Sequence, residues 1–293
     1  MYERLEECPV CKHPAYTNHM ICKDYLVTEE SFAIVKCNKC GLLFTNPRPE
    51  PANLSKYYQS TDYVSHANKG TNLVNILYKL ARLYTVRNKY NIISKYQKKG
   101  KILDYGCGTG HLLSYFNDKG WNTTGIEPDE HARKSAKEDN QLTVYEDLKK
   151  LPKDEKYDVI MLWHVMEHIA DLKKTARKLV RLLEDHGTMI IAVPNHESYD
   201  AAYYKENWAG YDIPRHLYHF NQLNIKELFK KMKVKLIRTI PMKLDAYYVS
   251  LLSEKNSGNG TNFMKAFQIG YKSNKLAKKN NNNYSSLIYV VNK

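Results

Sequence analysis

One decapeptide governs the architecture expected of this chain: Lys101-Ile102-Leu103-Asp104-Tyr105-Gly106-Cys107-Gly108-Thr109-Gly110. Its apolar beginning predicts a short strand, and its three glycines predict a tight turn where a helix begins. Glycine has no side chain, so a ligand can approach such a backbone closely. The first turn of the following helix adds unpaired N–H groups and the positive end of a helix dipole. A ligand site is therefore predicted at the end of this strand.

Strands and helices alternate after this loop. Strands are predicted at residues 121–126, 142–145, 157–163, 188–193, 234–240 and 286–291. Helices are predicted at residues 111–119, 130–139, 172–186 and 222–232, the first and third of them ended by Gly120 and Gly187. Alternation of this kind is typical of a parallel sheet covered by helices on both faces.

Two acidic residues stand where a bound nucleotide would need them. Glu127 ends the second predicted strand, 23 residues after Asp104, and an acid at this position can bind ribose hydroxyls. Asp147 follows the third predicted strand, near the expected position of a base edge. A nicotinamide nucleotide site is the alternative, but its GxGxxG pattern is not met, because the third glycine comes one position early.

From about residue 73 to residue 293 the chain resembles the class I S-adenosylmethionine-dependent methyltransferases. The resemblance is carried by residues 102–110, Gly125-Ile126-Glu127-Pro128, Glu146-Asp147-Leu148 and residues 157–168. It implies an α/β fold, with a Rossmann-like seven-stranded sheet, helices on both faces and an antiparallel last strand. It also implies S-adenosylmethionine as the cofactor. The implied binding residues are Asp104, Gly106, Gly108 and Gly110 for the methionine part, Glu127 for the ribose, and Asp147 with Leu148 for the adenine.

The first 50 residues predict a small metal-binding module. Cys8-Pro9-Val10-Cys11 and Cys37-Asn38-Lys39-Cys40 form two CxxC pairs with 25 residues between them. Each pair can present two thiolates to one ion, and four thiolates complete a closed tetrahedral Zn²⁺ shell. The predicted ligands of this structural zinc, in a zinc-ribbon-like module, are Cys8, Cys11, Cys37 and Cys40. A redox pair is the alternative reading, and Cys22, His13 or His19 could replace one ligand.

Three parts are expected along the chain. Residues 1–50 form the zinc module, which ends at a proline-rich stretch, and residues 51–99 form a linker with a packing helix. Residues 100–293 form the methyltransferase domain, in which the aromatic connection 194–221 is expected to cover the substrate. This layout resembles a bacterial subgroup with an N-terminal zinc-binding module, some relatives of which methylate sugars carried on nucleotides.

Histidines supply the candidate general bases, because imidazole titrates near neutral pH. His164 follows the fourth predicted strand, and His216 and His219 lie in the connection 194–221. All three therefore belong near the carboxyl ends of the strands, where ligands bind in open α/β sheets. For each of them a hydrogen-bonded structural histidine is the alternative. Arg215 can pair with a phosphate or carboxylate of the substrate, or form a structural ion pair.

The composition indicates which cell compartment and which classes of partner to expect. The chain has 293 residues, six cysteines and a net charge of +14, and no apolar run reaches the length of a membrane span. Its acidic, cysteine-containing start is unlike a signal peptide, so a cytoplasmic protein is expected. The positive charge invites a nucleic-acid partner. However, the first 50 residues hold six basic and seven acidic side chains, so the zinc module itself is not basic.

Three functions are compatible with these patterns. The favoured one is a methyltransferase for a small-molecule acceptor, such as a sugar or another envelope or secondary-metabolite precursor. An RNA methyltransferase that uses the zinc module and the basic surface is the first alternative, although the chain lacks an Asn/Asp-Pro-Pro-Tyr turn. A non-catalytic adaptor is the second alternative, against which the intact glycine loop and Glu127 argue. The acceptor atom and the oligomeric state stay open at this point.

Overall fold

The computed structural model describes residues 1–58, 73–258, 260 and 262–293, with the backbone alone for residues 73–82. The strands are β1 (Tyr2–Glu3), β2 (Tyr16–Lys23), β3 (Ser31–Cys37), β4 (Leu43–Thr45), β5 (Arg48–Pro49), β6 (Lys101–Tyr105), β7 (Asn122–Ile126), β8 (Val144–Tyr145), β9 (Tyr157–Trp163), β10 (Leu183–Pro194), β11 (Tyr218–His219), β12 (Lys235–Pro241) and β13 (Ser286–Asn292). The α-helices are α1 (Leu73–Ile93), α2 (His111–Asp118), α3 (Glu130–Glu138), α4 (Leu172–Leu182), α5 (Tyr199–Tyr204), α6 (Gln222–Phe229), α7 (Asp245–Asn256) and α8 (Phe263–Ala277). Short 3-10 turns lie at Pro51–Tyr58, Met166–His168, Lys205–Asn207 and Ala209–Tyr211.

A seven-stranded sheet in the order β12-β13-β10-β9-β6-β7-β8 forms the centre of the molecule. The pairs from β10 through β8 are parallel, whereas β13 runs antiparallel to both β10 and β12. Neighbouring residues Ile102 and Leu103 on β6 are fully buried in two different apolar clusters, because successive strand residues face opposite sides of the sheet. The predicted α/β fold, a seven-stranded sheet covered by helices on both faces, is confirmed.

Two helical segments differ from the sequence prediction. Helix α4 ends at Leu182 rather than near Gly187, because Leu183 is fully buried and already pairs with Tyr157 of β9. Residues 263–277 form α8, which is not among the helices predicted from the sequence. Small side chains on one side of α8 allow it to approach α7 closely. At Gly270, a Cβ would lie 2.9 Å from the Cα of Tyr247.

The N-terminal module is an antiparallel sheet in the order β11-β4-β3-β2. Its edge strand β11 comes from the connection 194–221, with Tyr218 opposite Phe44 and His219 opposite Leu43. Buried residues of the module and of the central sheet also belong to one apolar cluster. The module and the connection thus form one packed unit, and the division of the chain at residues 50 and 99 stays a prediction.

Helix α1 contains the predicted packing helix. Its side chains at positions 73, 76, 77 and 80 lie outside the described residues. Farther along, the ring of Tyr90 packs against Phe116 of α2, with the ring centroids 5.1 Å apart, and Ile93 is fully buried. The carboxyl-terminal half of α1 therefore packs against the central sheet, as expected for the packing helix. No helix in the described ranges has the length and apolar character needed to cross a bilayer.

Aromatic side chains of the connection 194–221 are mostly buried. Trp208, Tyr211 and Tyr218 are 2%, 4% and 1% exposed, and the first two belong to a cluster with Phe32 and Ile34 of the module. Burial of these rings attaches the connection to the module, and this accounts for its aromatic character without a ligand. Its role as a substrate cover stays a prediction.

Arg215 joins three separate segments of the chain. Its guanidinium is 1% exposed and donates hydrogen bonds to Oδ1 of Asp24 at 2.9 Å, to Oδ1 of Asp212 at 2.6 Å and to the carbonyl oxygen of Tyr57 at 2.9 Å. Asp24 is itself fully buried. These contacts occupy Arg215 within the protein, so the structural ion pair is the reading that the geometry supports.

We expect Arg215→Met to lower the free energy of unfolding by about 3–5 kcal/mol, because it leaves the Asp24 carboxylate buried without its partner. Denaturant-induced unfolding followed by tryptophan fluorescence measures this change. The exposed Arg177 of α4 supplies the control, since Arg177→Met should change the same free energy by less than about 1 kcal/mol. Equal effects of the two substitutions would contradict the structural role of Arg215.

Candidate functional site

The glycine loop, residues 106–110, connects β6 to α2. Gly106 and Gly110 have φ angles of 81° and 82°, which favour glycine strongly. A Cβ on Gly106 would lie 2.5 Å from Cγ2 of Val165, so this loop touches the segment that follows β9. At Gly108, in contrast, a Cβ would meet nothing within 4 Å. The middle of the loop is therefore open for the close approach of a ligand.

Glu127 faces the glycine loop from the end of β7. Its Oε2 accepts a hydrogen bond from the backbone N–H of Gly108 at 2.8 Å, and its Oε1 accepts one from Asp129 at 2.9 Å. Partial burial raises the pKa of Glu127, while these N–H donors oppose that rise. The carboxylate is thereby fixed beside the open part of the loop, as the sequence predicts for a hydroxyl-binding acid.

Asp104 lies at the base of the glycine loop and is 3% exposed. Burial raises its pKa to about 7, although the positive charge of Lys89 opposes the rise. Lys89 comes from α1, and its Nζ lies 4.5 Å from the centroid of the Trp163 ring at the end of β9. Sequence reasoning missed Lys89, because only the packing of α1 brings this lysine to the sheet edge.

The remaining predicted cofactor residues follow β8. The Asp147 carboxylate accepts a hydrogen bond from the backbone N–H of Lys149, and Leu148 packs against the buried core. Cys107, within the glycine loop, has its pKa raised by burial, and its sulfur lies against Gly125. A buried thiol of this kind fills space rather than acting as a nucleophile.

His164 directly precedes Val165, whose side chain lies against Gly106 of the glycine loop. Its Nδ1 lies 3.5 Å from Oε1 of Glu167, and its Nε2 lies 3.3 Å from Oδ2 of Asp245. Burial disfavours the imidazolium, but the two carboxylates outweigh that effect and raise the pKa of His164 to about 9. The side chain is 35% exposed, so a substrate can reach it. Sequence reasoning missed Asp245, which comes from α7.

His216 and His219 lie deeper in the molecule. His216 is 8% exposed, and its Nδ1 contacts the carbonyl oxygen of Gly210 at 2.9 Å. His219 is 4% exposed, and its Nε2 lies 3.4 Å from Oγ1 of Thr45 in the module sheet. Burial lowers the pKa of His219 well below its usual value. Of the three candidate bases, His164 is thus the accessible one, and the catalytic roles stay predictions.

Comparison with known proteins identifies the family. A family model described as a methyltransferase domain matches residues 78–237, more than half of the chain. The chain belongs to this methyltransferase family. The match covers the glycine loop, Glu127 and His164, and it confirms the methyltransferase domain predicted from the sequence.

Curated relatives of this methyltransferase match over shorter stretches. A ubiquinone biosynthesis O-methyltransferase of Rickettsia prowazekii is 30% identical over 118 residues, which is 38% of this chain and 44% of that protein. An uncharacterized methyltransferase of Staphylococcus carnosus is 26% identical over 148 residues, which is 47% of this chain and 72% of that protein. The chain spans about half the length of the ubiquinone biosynthesis relatives that it matches.

Solved structures share the fold of this methyltransferase. The magnesium protoporphyrin IX methyltransferase of Synechocystis PCC 6803, with bound SAH, has a TM-score of 0.55 at 16% identity, over 83% of this chain and 100% of that chain. The plantazolicin methyltransferase BpumL, in complex with SAH, has a TM-score of 0.50 at 18% identity, over 80% of this chain and 91% of that chain. At these identities the likeness concerns the fold alone.

Four cysteines of the module converge into a cysteine cluster, Cys8, Cys11, Cys37 and Cys40. Their sulfur atoms lie within 4.8 Å of one another, with 3.5 Å between Cys8 and Cys40 and between Cys11 and Cys37. A Zn–S bond of about 2.3 Å places the sulfurs of a tetrahedral site about 3.8 Å apart. The cluster therefore fits the predicted structural zinc, whereas Cys22, His13 and His19 lie outside it.

Both CxxC turns of the cluster have the same backbone geometry. Lys12 and Gly41, each directly after the second cysteine of a pair, have φ angles of 63° and 69°. Their N–H groups donate to the carbonyl oxygens of Cys8 and Cys37, both at 3.0 Å. The two turns thus present their sulfurs in equivalent ways, and zinc binding here stays a prediction supported by this geometry.

A basic groove runs between the module and α4. Its basic lining residues are Lys12, Arg48, Lys173, Lys174, Arg177, Lys178 and Arg181, and its acidic ones are Glu6, Glu7 and Asp171. Arg48 is buried and bonded to Glu3 and Tyr218, and Lys173 donates to the carbonyl oxygen of Val10. Part of this charge is therefore used within the protein, and a nucleic-acid partner stays the alternative prediction.

Removal of one thiol from the cysteine cluster is expected to abolish its tight metal binding. Co²⁺ in a four-thiolate site gives intense sulfur-to-metal charge-transfer absorption, which Cys37→Ser should lose. The thermal unfolding midpoint of the whole chain should also fall, because the module shares its core with the central sheet and metal binding stabilises the module.

Cys22→Ser is the matched control for this prediction. Cys22 is buried at 3% exposure but lies outside the cluster, so its replacement should leave the Co²⁺ absorption unchanged. Absorption spectroscopy and calorimetry on the three proteins provide the comparison. Persistence of the full charge-transfer band in Cys37→Ser would exclude Cys37 as a ligand.

Proposed function

We propose that this methyltransferase transfers a methyl group from S-adenosylmethionine to a hydroxyl oxygen of a small-molecule acceptor. The observation that carries the proposal is the glycine loop, which leaves open space at Gly108. The N–H of Gly108 donates a hydrogen bond to the Glu127 carboxylate beside this space. The names of the relatives from Rickettsia support an oxygen acceptor. Sugars and other envelope or secondary-metabolite precursors are the first acceptors to test.

The cofactor site is assigned to residues that fit its separate parts. The open backbone of the glycine loop accommodates the methionine part, and the Glu127 carboxylate accepts hydrogen bonds from the ribose hydroxyls. Asp147 and Leu148 after β8 receive the adenine. When bound, the cofactor supplies an activated sulfonium methyl group, and the protein has only to align the acceptor and remove its proton.

Lys89 adds a positive charge at the same edge of the sheet. Its ammonium lies near the Asp104 carboxylate and over the Trp163 ring, and burial lowers its pKa. An ammonium in such a position attracts an anionic group, and the carboxylate of the methionine part is the anion that this site would receive. Lys89 is therefore assigned to cofactor binding.

Proton removal is assigned to His164. The lone pair of the acceptor oxygen forms the new bond to the methyl carbon while the carbon–sulfur bond breaks, and the hydroxyl proton passes to the imidazole. Asp245 and Glu167 stabilise the imidazolium that results, at 3.3 and 3.5 Å. Because the same carboxylates raise the pKa of His164 to about 9, the neutral form that accepts a proton becomes abundant only at alkaline pH.

Glu127→Gln is expected to weaken S-adenosylmethionine binding by about 10- to 100-fold, because hydrogen bonds to a charged group contribute about 1.5–3 kcal/mol. Titration calorimetry with S-adenosylmethionine measures the affinity. Glu130→Gln, which changes an exposed carboxylate three residues away, should bind as the unaltered protein does. Failure of the unaltered protein to bind S-adenosylmethionine would overturn the proposed function.

The rate of methyl transfer should rise with pH and level off above about pH 9. Asp245→Asn removes a negative charge beside His164, which lowers the pKa of the imidazole, so the rising limb should move to lower pH by about one unit. His164→Ala should lower kcat by about 10²- to 10⁴-fold. Steady-state assays over a pH series provide the test.

Asp171→Asn is the control for the pH series, since the Asp171 side chain is 75% exposed and contacts only Lys174 among the ion pairs of the described chain. Its profile should coincide with that of the unaltered protein. A rising limb that stays in place in Asp245→Asn would exclude His164 as the titrating base.

A further inference from the structure

A second group of potential metal ligands lies next to His164, on the side of Glu167. Glu167 and His168 come from the 3-10 turn after β9, and His216 comes from the connection 194–221. One ligand atom from each of these three side chains lies within 4.8 Å of the other two. We call this group the histidine–glutamate cluster. It shares no residue with the cysteine cluster or with the assigned cofactor site.

The Glu167 carboxylate is the unusual member of the cluster. The residue is 0% exposed, and neither carboxylate oxygen has a hydrogen-bond partner in the described part of the chain. Its charged neighbour is His164, with Nδ1 3.5 Å from Oε1, which is an ion-pair distance rather than a hydrogen bond of good geometry. A buried carboxylate without hydrogen bonds is unfavourable in free energy, and a cation bound beside Glu167 would compensate this cost.

Both histidines of the cluster are oriented by backbone carbonyls. Nδ1 of His168 lies 3.0 Å from the carbonyl oxygen of Arg215 and 3.0 Å from the hydroxyl oxygen of Tyr58, which can accept from the same N–H, and Nδ1 of His216 lies 2.9 Å from the carbonyl oxygen of Gly210. A carbonyl oxygen only accepts, so each Nδ1 carries the hydrogen and each Nε2 keeps a lone pair. Histidines that bind metals are usually anchored in this way through the other ring nitrogen.

We propose that Glu167, His168 and His216 bind one divalent first-row transition metal ion. Two imidazoles with one carboxylate suit zinc, cobalt or iron, whereas magnesium and calcium prefer sites made of oxygen ligands. Ligand atoms about 2.1 Å from zinc are about 3.4 Å apart in a tetrahedral site, so small side-chain rotations close the present spacing. The ion joins the turn after β9 to the connection 194–221, and it shares the Glu167 carboxylate with His164, whose other neighbouring carboxylate is that of Asp245.

Metal stoichiometry tests the proposal on the full chain. The protein is stripped with a chelator, equilibrated with ZnCl₂, separated from free zinc by gel filtration and analysed by plasma emission. The unaltered protein should hold two zinc ions per chain, and Glu167→Gln and His216→Gln should each hold one. Cys37→Ser should also hold one, which then resides in the histidine–glutamate cluster.

Cobalt distinguishes the two sites spectroscopically. Addition of Co²⁺ to Cys37→Ser should give visible ligand-field bands without sulfur-to-metal charge transfer, and a further Glu167→Gln substitution should remove them. His131→Gln, at an exposed position on α3, is the control and should keep two zinc ions. A single zinc ion in the unaltered protein, together with no zinc ion in Cys37→Ser, overturns the proposal. Two zinc ions in a folded Glu167→Gln variant, judged by circular dichroism, overturn it as well.

Discussion

The buried guanidinium of Arg215 is the contact on which the arrangement of the other parts depends. It holds Asp24 of the N-terminal module, Asp212 of the connection 194–221 and the carbonyl oxygen of Tyr57 together in the protein interior. A planar guanidinium with five donors suits this task, because one side chain can meet several acceptors in fixed directions. Two residues farther on, the N–H of Leu217 donates to the carbonyl oxygen of Glu167 at 2.8 Å. The position of the turn after β9 is thereby tied to the same contact.

A row of polar groups begins at that turn and ends at Asp245 of α7. Glu167, His164 and Asp245 follow one another at ion-pair distances, from a fully buried carboxylate to a histidine that is 35% exposed. Water does not screen the charge of the buried Glu167 carboxylate, so this charge acts strongly on the nearby His164. Burial alone would lower the pKa of His164, and the two flanking carboxylates reverse the direction. The chemistry assigned to His164 is thus set by residues from two different elements, the 3-10 turn after β9 and α7.

The N-terminal module is part of the same packed structure. Strand β11 completes its sheet, and the apolar residues of the two sheets share one cluster. A segment of about 50 residues with a small core of its own gains stability from such packing and from a metal ion. The module therefore acts as a support for the connection 194–221, which in turn carries His216 into the histidine–glutamate cluster.

By itself, the sequence determined the features that depend on local pattern. The glycine loop, the alternation of strands and helices, Glu127 at the end of β7 and the two CxxC pairs all follow from spacing and residue type along short stretches. Other features depended on tertiary structure, because they join residues far apart in the chain. Asp245 reaches His164 only through α7, Lys89 reaches the sheet edge only through α1, and β11 joins the module only because its partner β4 has a free edge. The sequence alone offers three candidate histidines, and the tertiary structure shows that His164 is accessible whereas His216 and His219 are buried, since a local pattern carries no information on burial.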